Sequence, residues 1–394
     1  TELLGKRETL QLLPTARSDG LYGGVKYWDG QFDDARLALA LARSSAKLGA
    51  LVLNYCPVVD LISDGDKLVG IECLDSETGR RYKVRAKCVV NATGVWVDGI
   101  RQMEVFSKNG ALSHMVSPSQ GVHLVVDRKF LATDHALMIP KTADGRVLFA
   151  VPWLGKTLLG TTDTPRADLV QEPRPFQSEV DLILNESARY LKSAPSWADV
   201  KSAWVGLRPL VKHQGEDASN TKSISREHTV VVGKQGLVTV TGGKWTTYRA
   251  MAEDVMEQCF ESKLLPTRAG GQSKEYALHG AKARTSGDPR ICDAPSLHSY
   301  GSDAAEVTKL VGADKMLCDG LSESMVRFGV REEYARTVED ILARRSRTLF
   351  LDAKVAYALA PKVAELMRSE GLNDTKQAEF EALAQRYQTI EYAN

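Results

Sequence analysis

Apolar residues follow two rhythms along this chain, and the sharpest change from one to the other falls at Gly242-Gly243. Gly236 to Thr241 reads as a buried strand through Leu237, Val238, Thr239 and Val240. Tyr248, Met251, Ala252, Val255, Met256, Cys259 and Phe260 then recur at helical spacing, giving one apolar stripe. Two glycines at a strand-to-helix junction allow a sharp turn and the close approach of a bulky group. The free amides of the first helical turn, backed by the helix dipole, suit a phosphate or an electron-rich ring. The junction is either such a ligand turn or an ordinary tight loop. Lys244, Thr246, Thr247 and Arg249 crowd the same turn and favour the ligand.

Residues 1–31 carry little pattern and end in an aromatic, glycine-rich stretch. An Asp33 cap then opens a helix through Leu37, Leu41 and Leu48, with Gly49 placed to close it. Leu51-Val52-Leu53 reads as a strand, Val58 to Cys73 as a hairpin around Asp64-Gly65-Asp66, and Tyr82 to Lys87 as a further strand. Cys88 to Gly94 is a short apolar run ending in small residues. It predicts a buried central strand whose end abuts a ligand, or a core strand followed by a turn.

Between Ser113 and Leu210 strands prevail: Gly121 to Val126, Arg146 to Val151 and Thr157 to Thr161, with a helix near Ser178 to Leu191. Arg208 lies in an apolar run before Pro209, held extended, where a guanidinium needs an anion or several acceptors. A structural ion pair would satisfy it equally. Residues 262–300 have the composition of a linker. Helical periods follow over Ala304 to Val311, Glu332 to Arg345, Ala353 to Met367 and Lys376 to Tyr387. The basic run Arg344-Arg345-Ser346-Arg347 reads as a solvated helix end, with a binding patch as the alternative.

The 394 residues suffice for two or three cores, and a net charge of +1 gives no global field for nucleic acid or an anionic membrane. No apolar run reaches the ~18 residues of a membrane span. The six cysteines are scattered without a Cys-x-x-Cys pair, as reduced thiols rather than a metal site. The histidines show no metal-ligand spacing. The chain opens on Thr-Glu-Leu-Leu with no targeting pattern, compatible with a fragment or a processed chain.

Several stretches together carry a resemblance. They are Tyr27 to Gln31 with Asp34-Ala35-Arg36, Arg85 to Gly94, Pro118 to His123, Gly160 to Pro165, Gly206 to Leu210, Ser225 to His228, Gly242 to Arg249 and Arg344 to Arg347. In this order they resemble the FAD-dependent glycerol-3-phosphate dehydrogenases, the mitochondrial type most closely. The resemblance implies an α/β (α+β) fold: a partial Rossmann-like FAD-binding domain, a strand-rich substrate domain and a C-terminal helical domain. The expected boundaries are 1–30 for part of a substrate or cap region, 31–110 for the FAD-binding domain and 111–210 for the substrate domain. Segment 211–262 would return to the FAD-binding domain, 263–300 would link, and 301–394 would be helical. The family's opening strand, Gly-x-Gly-x-x-Gly turn and helix, a unit of ~30 residues, has no counterpart in residues 1–90. The chain thus resembles a family member lacking that segment.

By the same resemblance, sn-glycerol 3-phosphate would be oxidised to dihydroxyacetone phosphate, with electrons passing from FAD to a quinone. Gly242, Gly243, Thr246 and Thr247 would line the flavin, and Lys244 would stand at the flavin–substrate boundary. Ala92, Thr93 and Gly94 would pass the ribose and pyrophosphate, and Val58 and Val59 would meet the adenine. Arg208 and Arg226 are candidates for the substrate phosphate, since arginine forks match its oxygens. His123 is the candidate proton acceptor because an imidazole titrates near neutral pH, although a lone strand histidine also suits a structural role. Asp163 is expected to cap a turn. A glycerophosphate oxidase using oxygen, or a silent fragment without FAD, are the alternatives. Peripheral contact with the mitochondrial inner membrane is implied by resemblance alone.

Overall fold

The computed structural model describes residues 1–106, 113–142, 145–211 and 227–393. Its helices and strands are mixed throughout, as the sequence predicts. The Asp33 carboxylate accepts the Arg36 amide at 3.1 Å and caps the helix Asp34–Lys47. The predicted hairpin forms as Val58–Asp64 against Lys67–Leu74, and Arg81–Arg85 completes an antiparallel meander. Residues 1–31 are more ordered than their pattern suggests. Glu2–Gly5 pairs antiparallel with Gly23–Lys26 across the short helix Lys6–Leu12.

Leu51 to Leu53 does not form a strand. A three-residue run becomes one only where a neighbour supplies ladder hydrogen bonds, and among the described residues it has none. Leu51 and Leu53 are largely exposed. The chain is instead drawn to the helical region just afterwards, where Asn54 donates to the Tyr334 carbonyl at 2.8 Å and Tyr55 to Asp340 at 2.7 Å.

The largest sheet runs in the order Leu137–Ile139, Leu148–Trp153, Lys156–Gly160, Val116–Asp127 and Ser202–Val211, every pair antiparallel. Thr164–Pro165 pairs with Val116–Asp127 further along the strand, at Gln120 and Ser119. Strand alternation gives this sheet two distinct faces. Val122, Leu124, Val126 and Ala203 pack on one side against Val180, Ile183 and Leu184 of the helix Gln177–Tyr190. Ser119, Gly121 and His123, with their neighbours Arg208, Gly206 and Trp204, turn to the other.

Residues 262–296 contain no regular element, yet they are docked. The Leu154 and Gly155 amides donate to the carbonyls of Ile291 and Cys292 at 2.7 and 3.0 Å. The helical region packs around Val326, Phe328, Ile341, Leu342, Ala356, Val363 and Phe380. The predicted helix from Glu332 to Arg345 forms only toward its end, and a helix that the pattern did not predict precedes it. Glu323–Glu332 stops, and the chain resumes helically at Asp340–Arg345. The Asp340 carboxylate captures the amides of Arg336 and Thr337 at 2.9 and 3.1 Å, which starts the second segment afresh.

Of the basic run Arg344 is solvated, its side chain 46% exposed, but the rest is not a free helix end. Arg345 is buried, 3.1 Å from Asp340, with its guanidinium donating to the Glu333 carbonyl. Arg347 lies 4.4 Å over the Phe350 ring and 5.5 Å over Trp153, with a nitrogen 3.3 Å from Asp34. The run is a seam that fastens the helical region to the helix Asp34–Lys47 and to the sheet. Side chains far apart in sequence satisfy these charges, so a local pattern cannot reveal them.

Asp340 is the hub of that seam, accepting also from Tyr55, whose phenol is pushed up to about 12 by burial and then by the Asp340 charge. Asp340→Ala should leave Arg345 buried and unpaired. Chemical denaturation should register a loss of about 3–5 kcal/mol, whereas a loss under 1 kcal/mol would mean that the pairing is solvated.

Candidate active site

One short pairing organises the site. Val89–Asn91 runs parallel to Leu237–Gly242, with Val89 opposite Leu237 and Asn91 opposite Thr239. Parallel strands end on the same side, and ligands of such sheets bind beyond their carboxyl ends. Here the first strand leads through Ala92 and Thr93 to Gly94, and the second into Gly242-Gly243-Lys244. The Thr241 hydroxyl donates to the Gly94 carbonyl at 3.3 Å and joins the two turns. Buried Asn91 braces them, donating to the Val97 carbonyl at 2.9 Å and accepting the Thr93 hydroxyl at 2.8 Å. His228–Val232 flanks the pair on the far side of Leu237–Gly242. Val89–Asn91 is therefore an edge strand among the described residues, with Val90 44% exposed, and not the buried central strand predicted.

The glycines divide by what surrounds them. Gly94 has φ +63°, and a methyl group there would meet nothing within 4 Å. The space beside it is open to a ligand. Gly242 and Gly243 have φ of +81° and +70°, but a methyl group would strike the Glu227 carbonyl at 2.6 Å or the Met251 sulfur at 2.7 Å. Their bareness is required by the packing of this chain itself. Lys244, Thr246 and Thr247 follow at an exposed helix start, with a 3₁₀ turn at Trp245–Thr247 before Tyr248–Glu261. The Thr247 hydroxyl is spent on the Lys244 carbonyl at 3.0 Å. Lys244 has no carboxylate partner among the described residues.

The second half of the site is the open face of the large sheet. Arg208 stands opposite Ser119 and reaches back over Gly121, donating to the Thr161 hydroxyl at 3.0 Å. A methyl group on Gly121 would lie 2.3 Å from that guanidinium, so glycine is what lets it lie flat on the strand. Asp163 does not cap a turn. It lies 3.8 Å from Arg208 and accepts the Ser119 hydroxyl.

His123 stacks on Trp204, with ring centres 4.5 Å apart and planes 19° from parallel. Its Nδ1 is buried without a hydrogen-bond partner. Burial first, and the Arg208 charge second, push the imidazole down to about 4. The expectation of a histidine titrating near neutrality therefore fails; the ring is neutral over the physiological range.

Gly242 packs against Val211, three residues beyond Arg208 on the same strand, which ties the glycine turns to the arginine face. Ala92, Thr93, Gly94, Gly242, Gly243 and Lys244 thus gather at one pair of strand ends, and Arg208 and His123 on the adjoining sheet. Val58 and Val59 belong to the separate meander, Val58 opposite Cys73. Arg226 lies outside the described residues. Thr161, Asp163 and Trp204 join the site without having been singled out for it. Two of them sit in the Gly160 to Pro165 motif, and Trp204 could be found only through its register opposite His123.

Comparison with known proteins agrees with this geometry. Residues 1–249 match the family model for FAD dependent oxidoreductases, and residues 269–378 match that for the C-terminal domain of alpha-glycerophosphate oxidase. The chain is 36% identical over 391 residues to a probable mitochondrial glycerol-3-phosphate dehydrogenase of Dictyostelium discoideum, covering 91% of this chain and 60% of that protein. It is also 36% identical over 395 residues to the human mitochondrial glycerol-3-phosphate dehydrogenase, covering 93% of this chain and 53% of that one. The chain therefore spans a little over half the length of these relatives. Its structure superposes on the glycerol-3-phosphate dehydrogenase from Bacillus halodurans, solved in complex with FAD. The TM-score is 0.81 at 26% identity, with 100% of this chain and 81% of that one covered.

The lowered His123 pKa has a measurable cost. Between the ordinary value of 6.5 and about 4, the unfolded chain binds a proton that the folded chain refuses. Stability is fully present above pH 6.5 and is lost as pH falls through that window, by about 3 kcal/mol from this residue. In His123→Gln the slope of unfolding free energy against pH should flatten over that range. An identical slope in both proteins would mean that the imidazole is not held neutral by the fold.

Proposed function

The chain belongs to the FAD-dependent oxidoreductase family, and from that premise we propose that it oxidises sn-glycerol 3-phosphate to dihydroxyacetone phosphate and passes the electrons to a quinone. The observation that carries this is the junction of two turns at the ends of parallel strands with an arginine–histidine face. The named activity of the relatives supports the substrate.

The residues fit the cofactor. Gly94 leaves open space beside a braced turn, and the exposed 3₁₀ turn Trp245–Thr247 carries the positive end of the following helix dipole. Ala92, Thr93 and Gly94 would hold the ribose and pyrophosphate side, Gly242, Gly243, Thr246 and Thr247 the flavin side, and Val58 and Val59 the adenine. FAD, when bound there, supplies the acceptor for the hydride from C2 of the substrate. Segments 31–110 and 211–262 would form the cofactor domain and 111–210 the substrate domain.

Arg208 would hold the substrate phosphate, its fork oriented by Thr161 and Asp163. The His123 imidazole would take the proton of the C2 hydroxyl. A neutral imidazole is ready to accept it, and a phosphate beside Arg208 would offset the smaller of the two causes of its weak basicity, the Arg208 charge, while burial, the larger, would remain. Proton affinity would then rise when substrate is present. The Lys244 ammonium and the helix start supply positive potential where negative charge develops.

Two finer points remain proposals of the same kind. The word mitochondrial in the relatives' names supports a mitochondrial location. No described helix is long and apolar enough to cross a membrane. The oxidase named in the C-terminal family model favours oxygen as an alternative acceptor, which reoxidation rates with oxygen and a quinone analogue would separate.

Anaerobic glycerol 3-phosphate should bleach the visible flavin absorbance of the FAD-loaded protein, and glycerol should not. Arg208→Lys should lower kcat/KM for glycerol 3-phosphate at least tenfold, since losing a charged hydrogen bond costs about 1.5 kcal/mol or more. Absence of bleaching would refute the substrate, and unchanged efficiency in the mutant would leave Arg208 a structural residue.

A further inference from the structure

The cysteines take no part in this chemistry, yet two of them touch. Cys88 immediately precedes the strand Val89–Asn91, and Cys259 lies near the end of the helix Tyr248–Glu261. Their sulfurs are 3.6 Å apart, across 171 residues of sequence. Cys259 is fully buried, in a cluster with Val238, Val240 and Val255, while Cys88 packs at its edge and stays partly exposed. The strand leads to the Gly94 turn and the helix starts from the Gly243 turn, so the pair bridges the two elements that frame the crevice. A disulfide needs sulfurs at ~2.05 Å, and these two stand in van der Waals contact.

We propose that Cys88 and Cys259 are an oxidative modification site, where a hydroperoxide converts the thiol pair into a disulfide that clamps the helix to the strand. The exposed Cys88 meets the oxidant first. Its sulfur attacks one peroxide oxygen, the O–O bond breaks, and the other oxygen leaves as water or an alcohol, giving a sulfenic acid. The Cys259 sulfur then attacks the Cys88 sulfur, and the S–O bond breaks. The departing hydroxide takes the thiol proton and leaves as water. Two thiols have given two electrons to one O–O bond.

Burial, and then the neighbouring Cys259 thiol, push Cys88 up to about 11. Cys259 is the ionisable group acting on it. The thiolate is therefore scarce at neutral pH, and the site answers sustained rather than brief exposure. Its rate climbs about tenfold per pH unit below that value. Cys56 and Cys73 also interact through their thiols, and they form the internal control.

The test treats the 394-residue chain with hydrogen peroxide from pH 7 to pH 9, quenches with N-ethylmaleimide, and maps peptides without reduction. The expected product joins the Cys88 and Cys259 peptides with loss of two hydrogens and reverts with dithiothreitol. It forms faster at higher pH, is absent in Cys88→Ser, and melts at a higher temperature than the reduced chain. The wild-type map alone is decisive, so the result does not depend on how the variant folds. Sulfinic acid at Cys88 without a cross-link, a Cys56–Cys73 disulfide alone, or a cross-link with no gain in melting temperature would each overturn it.

Discussion

Everything at the crevice depends on three residue pairs of parallel ladder between Val89–Asn91 and the start of Leu237–Gly242. Parallel strands need a crossover, and here the crossover is the entire large sheet with its helix. Such a pairing closes only when that insertion folds back on itself, so its two ends are held by tertiary structure and not by local sequence. The outcome is two turns, at Gly94 and Gly242, joined by a single hydroxyl donation from Thr241. Buried Asn91, bonded to both Val97 and Thr239, spends its amide fixing their spacing. A polar side chain committed so fully inside a short sheet costs stability unless every group is paired. It preorganises a crevice lined by backbone atoms of the two turns rather than by flexible side chains.

The arginine–histidine face is built by a different constraint, the close approach of charged and aromatic groups on one side of an antiparallel ladder. Gly121 makes room for Arg208, Thr161 and Asp163 aim it, and Trp204 covers His123. Phe350 meets Trp204 edge to face at 5.3 Å, and Arg347 lies over Phe350. A line of ring contacts thus runs from the basic run of the helical region to the imidazole. This explains why a helical segment with no obvious chemistry belongs with the site. It holds the aromatic wall that desolvates His123, and that desolvation is the larger cause of its lowered basicity.

Elements that carry their own punctuation were legible from sequence. The Asp33 cap, the Asp64-Gly65 turn, the Gly242-Gly243 junction and the apolar stripe to Phe260 each specify a local structure with local residues. What escaped depends on distant partners. Leu51 to Leu53 lacks a strand to pair with among the described residues, and Asp163 faces an arginine from another strand. Glu332 to Arg345 is helical only toward its end because Asp340 takes amides that a continuous helix would have used. The His123 environment needs Trp204 and Arg208 from the neighbouring strand. Periodicity reports which face is buried, but not which charge lies opposite.

Gly94 offers the most direct measurement of whether this crevice holds the flavin nucleotide. Asparagine tolerates the left-handed backbone that Gly94 adopts at φ +63°, and no atom lies within 4 Å of where its Cβ would stand. Gly94→Asn therefore keeps the turn while filling the space beside it. Equilibrium titration with FAD, followed by flavin fluorescence and paired with a thermal melt of the FAD-free protein, separates binding from folding. The account predicts affinity weakened at least tenfold, or about 1.4 kcal/mol, with an essentially unchanged melting temperature. Undiminished FAD affinity in the folded variant would contradict it.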